Sequence, residues 1–254
     1  MSDVAPSPRR PRVLVVQHQA DCAPAWFGRW LAQAGCDLDV VEPWRSDPSS
    51  AALPDDLAGH DGLLVLGGSM GAHDDADVAW LGPVKALVRD AVARRVPTLG
   101  ICLGHQLVAV ALGGRVDRNP AGQTVGLTPV RWTPEAVADP LVGPLASPRR
   151  GVHWNDDVVV AEPPGAVALA RGADGTLQVA RFAETAWGVQ LHPEADRAVV
   201  EEWAVGDAAR HAERGLDQAA VLDEVGSAAA ELRAAWEPLA LAFAGRCRQP
   251  DRVG

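Results

Sequence analysis

Two apolar runs meet at a cysteine in Pro97-Thr-Leu-Gly-Ile-Cys102-Leu-Gly-His-Gln-Leu107, with a glycine two residues before the cysteine and another two residues after it. A buried strand, a sharp turn and a helix in this order are typical of a nucleophile elbow. Glycines are needed beside such a turn because a Cβ there would collide with the neighbouring strand or helix. We therefore interpret Cys102 as a nucleophile.

The predicted position of Cys102 at a helix N-terminus explains why its thiol would react. Peptide dipoles and free N–H groups at that end favour the thiolate, and the N–H of Leu103 is aimed to stabilise an oxyanion. The other cysteines, Cys22, Cys36 and Cys247, are scattered with no CxxC pair. We interpret them as small buried hydrophobic residues in a reducing cytoplasm.

His192 is the candidate base for this thiol. It follows the apolar run 187–191 and precedes Pro193, which ends regular strand pairing. If the chain is extended there, Glu194 points to the same side and holds one imidazole nitrogen while the other faces the thiol. His-Pro-Glu alone fits a surface turn equally well. Combined with the elbow, it predicts a Cys102–His192–Glu194 triad.

A second glycine-rich corner, Gly67-Gly68-Ser69-Met70-Gly71, follows the neighbouring predicted strand. The N–H of Gly68 is positioned to complete an oxyanion hole with the N–H of Leu103. A phosphate-binding loop is the alternative, but the run is not G-x-G-x-x-G and no Walker lysine follows it.

The first half of the chain alternates short apolar runs with longer amphipathic ones, which is typical of a parallel sheet covered by helices. We predict an α/β fold with three α/β/α layers and a mostly parallel, flavodoxin-like or Rossmann-like central sheet. The predicted strands are Arg12–Gln17, Asp37–Val41, Gly62–Leu66 and Pro97–Ile101, and the predicted helices are Pro24–Ala34, Asp77–Arg95 and Gly104–Leu112.

From Gly114 to Gln190 short strand candidates are separated by proline and glycine, which predicts a smaller antiparallel portion. Helical spacing follows Pro193. We expect a disordered arm over residues 1–11, one domain over 12–200, and a C-terminal helical extension over 201–254 that packs on the same domain. The strand candidates of this half include Thr124–Trp132, Asp157–Ala161, Leu177–Phe182 and Ala186–Leu191.

The composition excludes several classes of function. The 254 residues are 48% hydrophobic with a net charge of −10, so nucleic acid and anionic membranes would be repelled. The run Val13–Val16 is too short for a secretion signal, and no run approaches the roughly 18 apolar residues of a membrane span. We expect a cytoplasmic protein that needs no metal and no cofactor.

The motifs together resemble those of the class I, triad-type glutamine amidotransferases. The chain is most similar to free-standing members like the glutaminase domain of GMP synthase, over about residues 12–200. The motifs that carry the resemblance are Gly100-Ile-Cys-Leu-Gly-His-Gln106, Gly188-Val-Gln-Leu-His-Pro-Glu194 and Leu66-Gly-Gly-Ser-Met-Gly71.

The resemblance implies that glutamine is the substrate and that Cys102 attacks its carboxamide. His192 then acts as base and acid, and Glu194 orients it. The resemblance also assigns substrate contacts to the glycine-rich corner and to residues on two later segments. The implied contacts are Gly67, Ser69, Met70, Gln106, Trp154 and Asn155.

One departure from the family pattern lies in His153-Trp-Asn-Asp-Asp157. Members similar to the GMP synthase domain have a histidine where this chain has Asn155, so the substrate contacts of this segment are open. His153 could substitute, although a histidine beside a tryptophan is more often packed for structural reasons. The roughly 50 residues after Glu194 are too few for a nucleotide-binding fold, which implies a separate synthetase as partner.

Three functions remain open on the sequence. The first is a glutaminase that supplies ammonia to a separate synthetase. The second is an independent hydrolase of γ-glutamyl amides or peptides, which needs an open pocket for a larger leaving group. The third is a regulatory or binding protein without catalysis, against which the intact Cys102, His192 and Glu194 argue.

Overall fold

The computed structural model describes residues 9–45 and 53–248. Residues 1–8 of the predicted disordered arm lie outside the described residues. The last part of that arm precedes the first strand and makes defined contacts, since Arg9 pairs with Asp61 at 2.8 Å and Arg10 pairs with Asp37 at 3.0 Å.

The described residues form eleven strands, and nine of them make one continuous sheet with the order β2-β1-β3-β4-β11-β10-β9-β6-β7. The strands are β1 (Arg12–Val16), β2 (Asp37–Val41), β3 (Gly62–Val65), β4 (Thr98–Ile101), β5 (Arg115–Arg118), β6 (Thr124–Trp132), β7 (Arg149–Asn155), β8 (Asp157–Ala161), β9 (Val167–Arg171), β10 (Leu177–Ala183) and β11 (Ala186–Val189).

Strands β2, β1, β3, β4 and β11 run parallel, and β10, β9, β6 and β7 extend the same sheet in antiparallel pairing. Strands β5 and β8 form a separate antiparallel pair. The parallel strands place their carboxyl ends at one edge, where ligands bind in open α/β sheets. The predicted α/β class, with a parallel part and a smaller antiparallel part, is confirmed.

Helices cover both faces of the parallel strands. They are α1 (Ala25–Gln33), α2 (Leu81–Ala93), α3 (Leu103–Ala111), α4 (Arg197–Gly206), α5 (Ala208–Glu213), α6 (Gln218–Ser227) and α7 (Ala229–Arg248). None of the helices in the described ranges is both long and apolar enough to cross a membrane.

The alternation of side chains along β1 explains the layers. Val13 and Val15 pack in one apolar core with residues of α1 and α7, whereas Leu14 and Val16 pack in a second core with residues of α2 and α3. Because the strand is buried on both faces, it is apolar throughout rather than alternating. This produces the three layers expected from the sequence.

Two predicted boundaries differ from the structure. Helix α2 begins at Leu81 rather than Asp77, because residues 74–80 form turns in which the Val78 N–H donates to the Asp74 carbonyl. The predicted domain boundary at residue 200 falls inside α4, whose first turn is capped by the Asp196 side chain. The helix is continuous there, so residues 197–206 belong to one element.

Candidate active site

Cys102 lies at the corner between β4 and α3 and has φ 51° and ψ −107°, a positive-φ conformation unusual for a residue with a side chain. Its N–H donates to the Val189 carbonyl at 2.9 Å, and the Gly104 N–H donates to the Leu66 carbonyl at 3.1 Å. These bonds tie the corner to its neighbours on both sides. The conformation is therefore fixed by the surrounding strands.

The glycines beside Cys102 are required by close backbone contacts. A Cβ on Gly100 would lie 2.3 Å from the Gly104 oxygen, and a Cβ on Gly104 would lie 2.0 Å from the Val65 oxygen. Both contacts are with backbone atoms, which cannot rotate away. The glycine spacing seen in the sequence thus lets α3 approach β3 and β4.

We expect Gly104→Ala to lower the free energy of unfolding by about 1–3 kcal/mol or more, the cost of overpacking a core. Urea denaturation followed by circular dichroism measures this change. The matched control is Gly245→Ala in α7, where a Cβ meets nothing within 4 Å. That variant should gain about 0.5–1 kcal/mol, because alanine favours a helix. Equal stability of the two variants would contradict the close approach of α3.

His192 and Glu194 form a hydrogen bond of 2.7 Å between Nδ1 and Oε1, and both side chains are almost fully buried. The extended chain considered for this pair is not what the structure has. Residues 193 and 194 form a turn, in which the Ala195 N–H donates to the His192 carbonyl. The turn follows Pro193 and folds the carboxylate back under the imidazole. The Trp26 N–H also donates to the Glu194 carbonyl, which fixes the turn against α1.

The other nitrogen of His192 is directed toward Cys102. Nε2 is buried and has no hydrogen-bond partner in residues 9–45 and 53–248. A Cβ built on Gly67 would lie 3.2 Å from His192 Cε1 and 3.6 Å from Cys102 Cβ, so both side chains flank the same glycine. The structure therefore brings the three residues of the predicted triad together.

The electrostatics of this group favour an imidazolium at neutral pH. Burial disfavours a charged His192, but the negative charges of Cys102 and Glu194 outweigh burial and raise the pKa of the imidazole to about 10. An imidazolium between a thiolate and a carboxylate is the charge pattern of an activated cysteine nucleophile.

The remaining thiols have the opposite environment. Burial, the largest influence, raises the pKa of Cys22, Cys36 and Cys247 above the usual range of a thiol. All four cysteines are free of disulfides. At neutral pH these three side chains are thiols packed in the core.

The two predicted oxyanion donors face each other across the corner. A Cβ on Gly68 would lie 3.0 Å from Leu103 Cδ2, and neither the Gly68 N–H nor the Leu103 N–H donates to a backbone carbonyl within the described ranges. Ser69 next to Gly68 is held by Gln19, whose Oε1 accepts from the Ser69 N–H at 2.8 Å. Two N–H groups thus remain available beside Cys102.

Gln190 is a site residue whose role the sequence did not indicate. Its Nε2 donates to Cys102 Sγ at 3.7 Å, and its Oε1 accepts from Gln106 Nε2 at 3.3 Å. Gln106 Nε2 also donates to the Asp157 carbonyl at 3.0 Å. The position of Gln190 two residues before His192 was the available signal. Since it directs an N–H toward sulfur, it can stabilise a thiolate.

Two cavities meet at Cys102. The larger has a volume of about 540 Å³ and the smaller about 360 Å³, and Gly68, Ser69, Cys102 and Trp154 line both. The larger cavity also contains Met70, Gln106 and Asn155, three of the predicted substrate contacts.

Two other residues singled out in the sequence line neither cavity. Gly67 packs directly between Cys102 and His192 instead, so the predicted substrate contact there is replaced by a contact within the site. His153 is buried, its Nδ1 lies 3.4 Å from Asn155 Oδ1, and burial lowers the pKa of its imidazole to about 4. His153 is thus a neutral packed residue.

The comparison with known proteins gives a consistent result. Residues 25–201 match the family model described as glutamine amidotransferase class-I. The chain is 28% identical to the glutamine-hydrolyzing component of GMP synthase from Saccharolobus solfataricus, over 72% of this chain and 82% of that protein. It is 27% identical to gamma-glutamyl peptidase 5 from Arabidopsis thaliana, over 70% of each chain.

A solved structure agrees in both fold and sequence. The glutamine amidotransferase from Methylobacillus flagellatus superposes with a TM-score of 0.80 and is 29% identical, with 97% of this chain and 98% of that chain covered. The matched family region contains both glycine-rich corners and the His-Pro-Glu turn. The chain therefore belongs to the class I glutamine amidotransferase family.

Proposed function

We propose that this chain hydrolyses the γ-carboxamide of glutamine through a thioester on Cys102, releasing glutamate and ammonia. The observation that carries the proposal is the contact of Glu194 with His192 at 2.7 Å, with the free Nε2 of His192 beside Cys102. This is the geometry that a nucleophile, a base and an orienting group require. The family membership supports the same chemistry.

The acylation step follows from the charges of the site. The Cys102 thiolate attacks the amide carbon, and the carbonyl oxygen becomes an anion that the N–H groups of Gly68 and Leu103 stabilise. The His192 imidazolium donates its proton to the nitrogen, the C–N bond breaks, and ammonia departs. A γ-glutamyl thioester remains on Cys102.

Hydrolysis of the thioester uses the same groups in reverse. His192, now neutral, removes a proton from a water molecule that attacks the thioester carbon. The C–S bond breaks, glutamate leaves, and the thiolate and the imidazolium are restored. Glu194 stabilises the imidazolium throughout, because its carboxylate faces the Nδ1–H. These steps use only side chains and backbone groups of the chain, the substrate and water.

The larger cavity is suited to the amino-acid end of glutamine. Arg118 and Arg210 line it and can face the α-carboxylate, while Asp117 and Asp157 on the same wall can face the α-ammonium. Asn155 and Gln106 add neutral polar contacts near Cys102. A zwitterion requires both charges, so this wall supports an amino-acid substrate.

A partner that uses the ammonia is the first extension of this proposal. The relative from Saccharolobus solfataricus is named as one component of GMP synthase, which supports a glutaminase that works with a separate synthetase in a reducing cytoplasm. The acceptor is not specified by the residues described above.

An independent hydrolase of γ-glutamyl amides is the second candidate. The smaller cavity favours it, because about 360 Å³ beside His192 exceeds what ammonia needs. The relative from Arabidopsis thaliana is named as a gamma-glutamyl peptidase. A regulatory protein without catalysis is disfavoured, because the charged groups around Cys102 are complete.

The experiment is to incubate the purified protein with glutamine and with γ-glutamyl peptides and to follow glutamate by a coupled dehydrogenase assay. We expect slow glutamate release from glutamine that increases when a synthetase partner is added. Turnover of peptides without turnover of glutamine would favour the independent hydrolase. Absence of turnover for every substrate, with and without a partner, would contradict the proposed function.

A further inference from the structure

The smaller cavity lies on the His192 side of Cys102. His192 lines this cavity and does not line the larger one, and its unpartnered Nε2 is almost fully buried. Under the proposed function, on which this inference rests, His192 gives a proton to the departing nitrogen. The amine must then leave into the smaller cavity, which we call the leaving-group cavity.

The leaving-group cavity is larger than ammonia requires. A water molecule, of similar size to ammonia, occupies about 30 Å³ in the liquid. The cavity has about 360 Å³ and is continuous with the space around Cys102. It therefore has room for an amine that carries a carbon chain.

The charge of this cavity is negative. Asp21, Glu202 and Asp207 line it, and no lysine or arginine from the described ranges does. Asp21 Oδ1 accepts from Gln19 Nε2 at 2.6 Å, and Asp207 Oδ2 accepts from Trp154 Nε1 at 2.7 Å. Both donors are neutral, so the carboxylate charge is not cancelled by them.

One ionisable group faces Asp207 from α5. His211 Nε2 lies 3.9 Å from Asp207 Oδ2, beyond hydrogen-bonding distance. Burial, the largest influence, lowers the pKa of His211, so this imidazole is neutral at neutral pH. The cavity therefore retains the charge of its three carboxylates.

Two tryptophans give the same cavity aromatic walls. The rings of Trp154 and Trp203 have centroids 6.2 Å apart and are tilted by 51°. The ring of Trp203 also lies 4.4 Å from the ring of His192, so the aromatic surface begins beside the group that protonates the amine. Tryptophan faces attract ammonium groups, and they also cover the carbon chain that connects two amines.

We propose that this chain hydrolyses γ-glutamyl amides whose amine carries a second, cationic amino group, as in a γ-glutamyl diamine. The second ammonium would lie among Asp21, Glu202 and Asp207 with the carbon chain against Trp203. A leaving group that ends in a carboxylate would face three like charges. The cavity thus separates diamines from the amino acids released by ordinary γ-glutamyl peptides.

The chemical step is balanced without a further reactant. Cys102 forms a C–S bond with the γ-carbon, the C–N bond breaks, and the diamine leaves with the proton of His192. Water then hydrolyses the thioester to glutamate and restores the thiolate. The products are one glutamate and one diamine for each amide.

The test compares γ-glutamyl amides of putrescine, pentylamine and δ-aminovalerate, which share four methylene groups and end in an ammonium, a methyl or a carboxylate. Glutamine is the fourth substrate. We expect kcat/KM to be at least about tenfold higher for the putrescine amide than for the pentylamine amide, and lowest for the δ-aminovalerate amide. The preference should fall as salt increases, because ions screen the carboxylates.

Two variants locate the preference. Glu202→Gln and Asp21→Asn should each reduce kcat/KM for the putrescine amide by about three- to tenfold and leave the pentylamine amide nearly unchanged. The matched control is Glu201→Gln, which removes the same charge from the same helix at an exposed residue outside both cavities. It should leave all four rates unchanged.

The outcomes distinguish this inference from the function beneath it. Equal turnover of the three amides, preference for the carboxylate, or turnover of glutamine alone, in each case abolished by Cys102→Ala, would overturn the diamine proposal and leave the cysteine chemistry intact. Absence of Cys102-dependent turnover for all four substrates would overturn both proposals. Loss of preference in Glu201→Gln as well as Glu202→Gln would assign the effect to overall charge and reject the cavity.

Discussion

Cys102→Ala is expected to lower kcat for glutamate release by about 10⁴-fold or more, since losing the nucleophile of a triad leaves only binding and oxyanion stabilisation. Cys102 is the thiol that lies within reach of Gln190, His192 and both candidate oxyanion N–H groups. Without its sulfur no thioester can form. Steady-state glutamate release measures the loss, and acid quenching followed by mass spectrometry detects the γ-glutamyl enzyme.

The matched control for this variant is Cys36→Ala. Cys36 is buried just before β2, at the amino end of the parallel strands, whereas the active site lies at their carboxyl ends. It should keep kcat within about twofold of the wild-type value, because distant core substitutions change stability rather than chemistry. If Cys36→Ala lost as much activity as Cys102→Ala, the loss would reflect folding, and the assignment of the nucleophile would fail.

Thiol labelling gives an independent measure of the same assignment. Iodoacetamide reacts with thiolates, and burial raises the pKa of Cys22, Cys36 and Cys247 so that they remain thiols at neutral pH. We therefore expect one alkyl group per folded chain, mapped to the peptide that contains Cys102. Prior incubation with a γ-glutamyl substrate should slow this labelling.

Local sequence was sufficient for the parts of the site that depend on neighbours along the chain. The glycines two residues from Cys102 predict the corner because the backbone contacts that need them are made by the corner itself. His192 and Glu194 are two residues apart, so any turn or extended segment at that point can place them side by side. Even there, the conformation was a turn and not the extended chain considered.

The leaving-group cavity could not be predicted in this way. Asp21 follows β1, while Glu202 and Asp207 belong to α4 and its C-terminal end. Their convergence depends on how α4 packs beside the Cys102 corner, where Trp203 Nε1 donates to the Asp21 carbonyl at 3.0 Å. No periodicity in the sequence specifies that contact. A division of the chain at residue 200 even separates these residues from the triad they adjoin.

Strand β7 illustrates the same limit for the fold. Its sequence, RRGVHWN, begins with two arginines and has no clear alternation. Arg150 is nevertheless held by Glu224 and Glu231 from α6 and α7, and the Trp236 Nε1–H donates to the Arg150 carbonyl. These contacts cross more than seventy residues of sequence. Tertiary packing, rather than local propensity, therefore decides that this segment is a strand.

Glu194→Gln is expected to lower kcat/KM by about 10²- to 10⁴-fold at neutral pH, the range seen when the orienting carboxylate of a triad is replaced by an amide. The glutamine amide would keep much of the shape but remove the charge that faces His192 Nδ1. Glu194 is one of two negative neighbours that raise the pKa of His192 to about 10. Removing it lowers that pKa, so less imidazolium is present to protonate the departing amine.

The sign of this change can be read from a pH profile. In the wild type, the proton donor persists until the pH approaches about 10, so the alkaline decline of kcat/KM should lie near that value. In Glu194→Gln the decline should move to lower pH, because the remaining attraction from Cys102 must balance burial alone. Glu213→Gln, which removes an exposed charge at the end of α5 outside both cavities, should leave the profile unchanged. A decline that stays in place in Glu194→Gln would mean that His192 is not the proton donor, and a second group would have to protonate the amine.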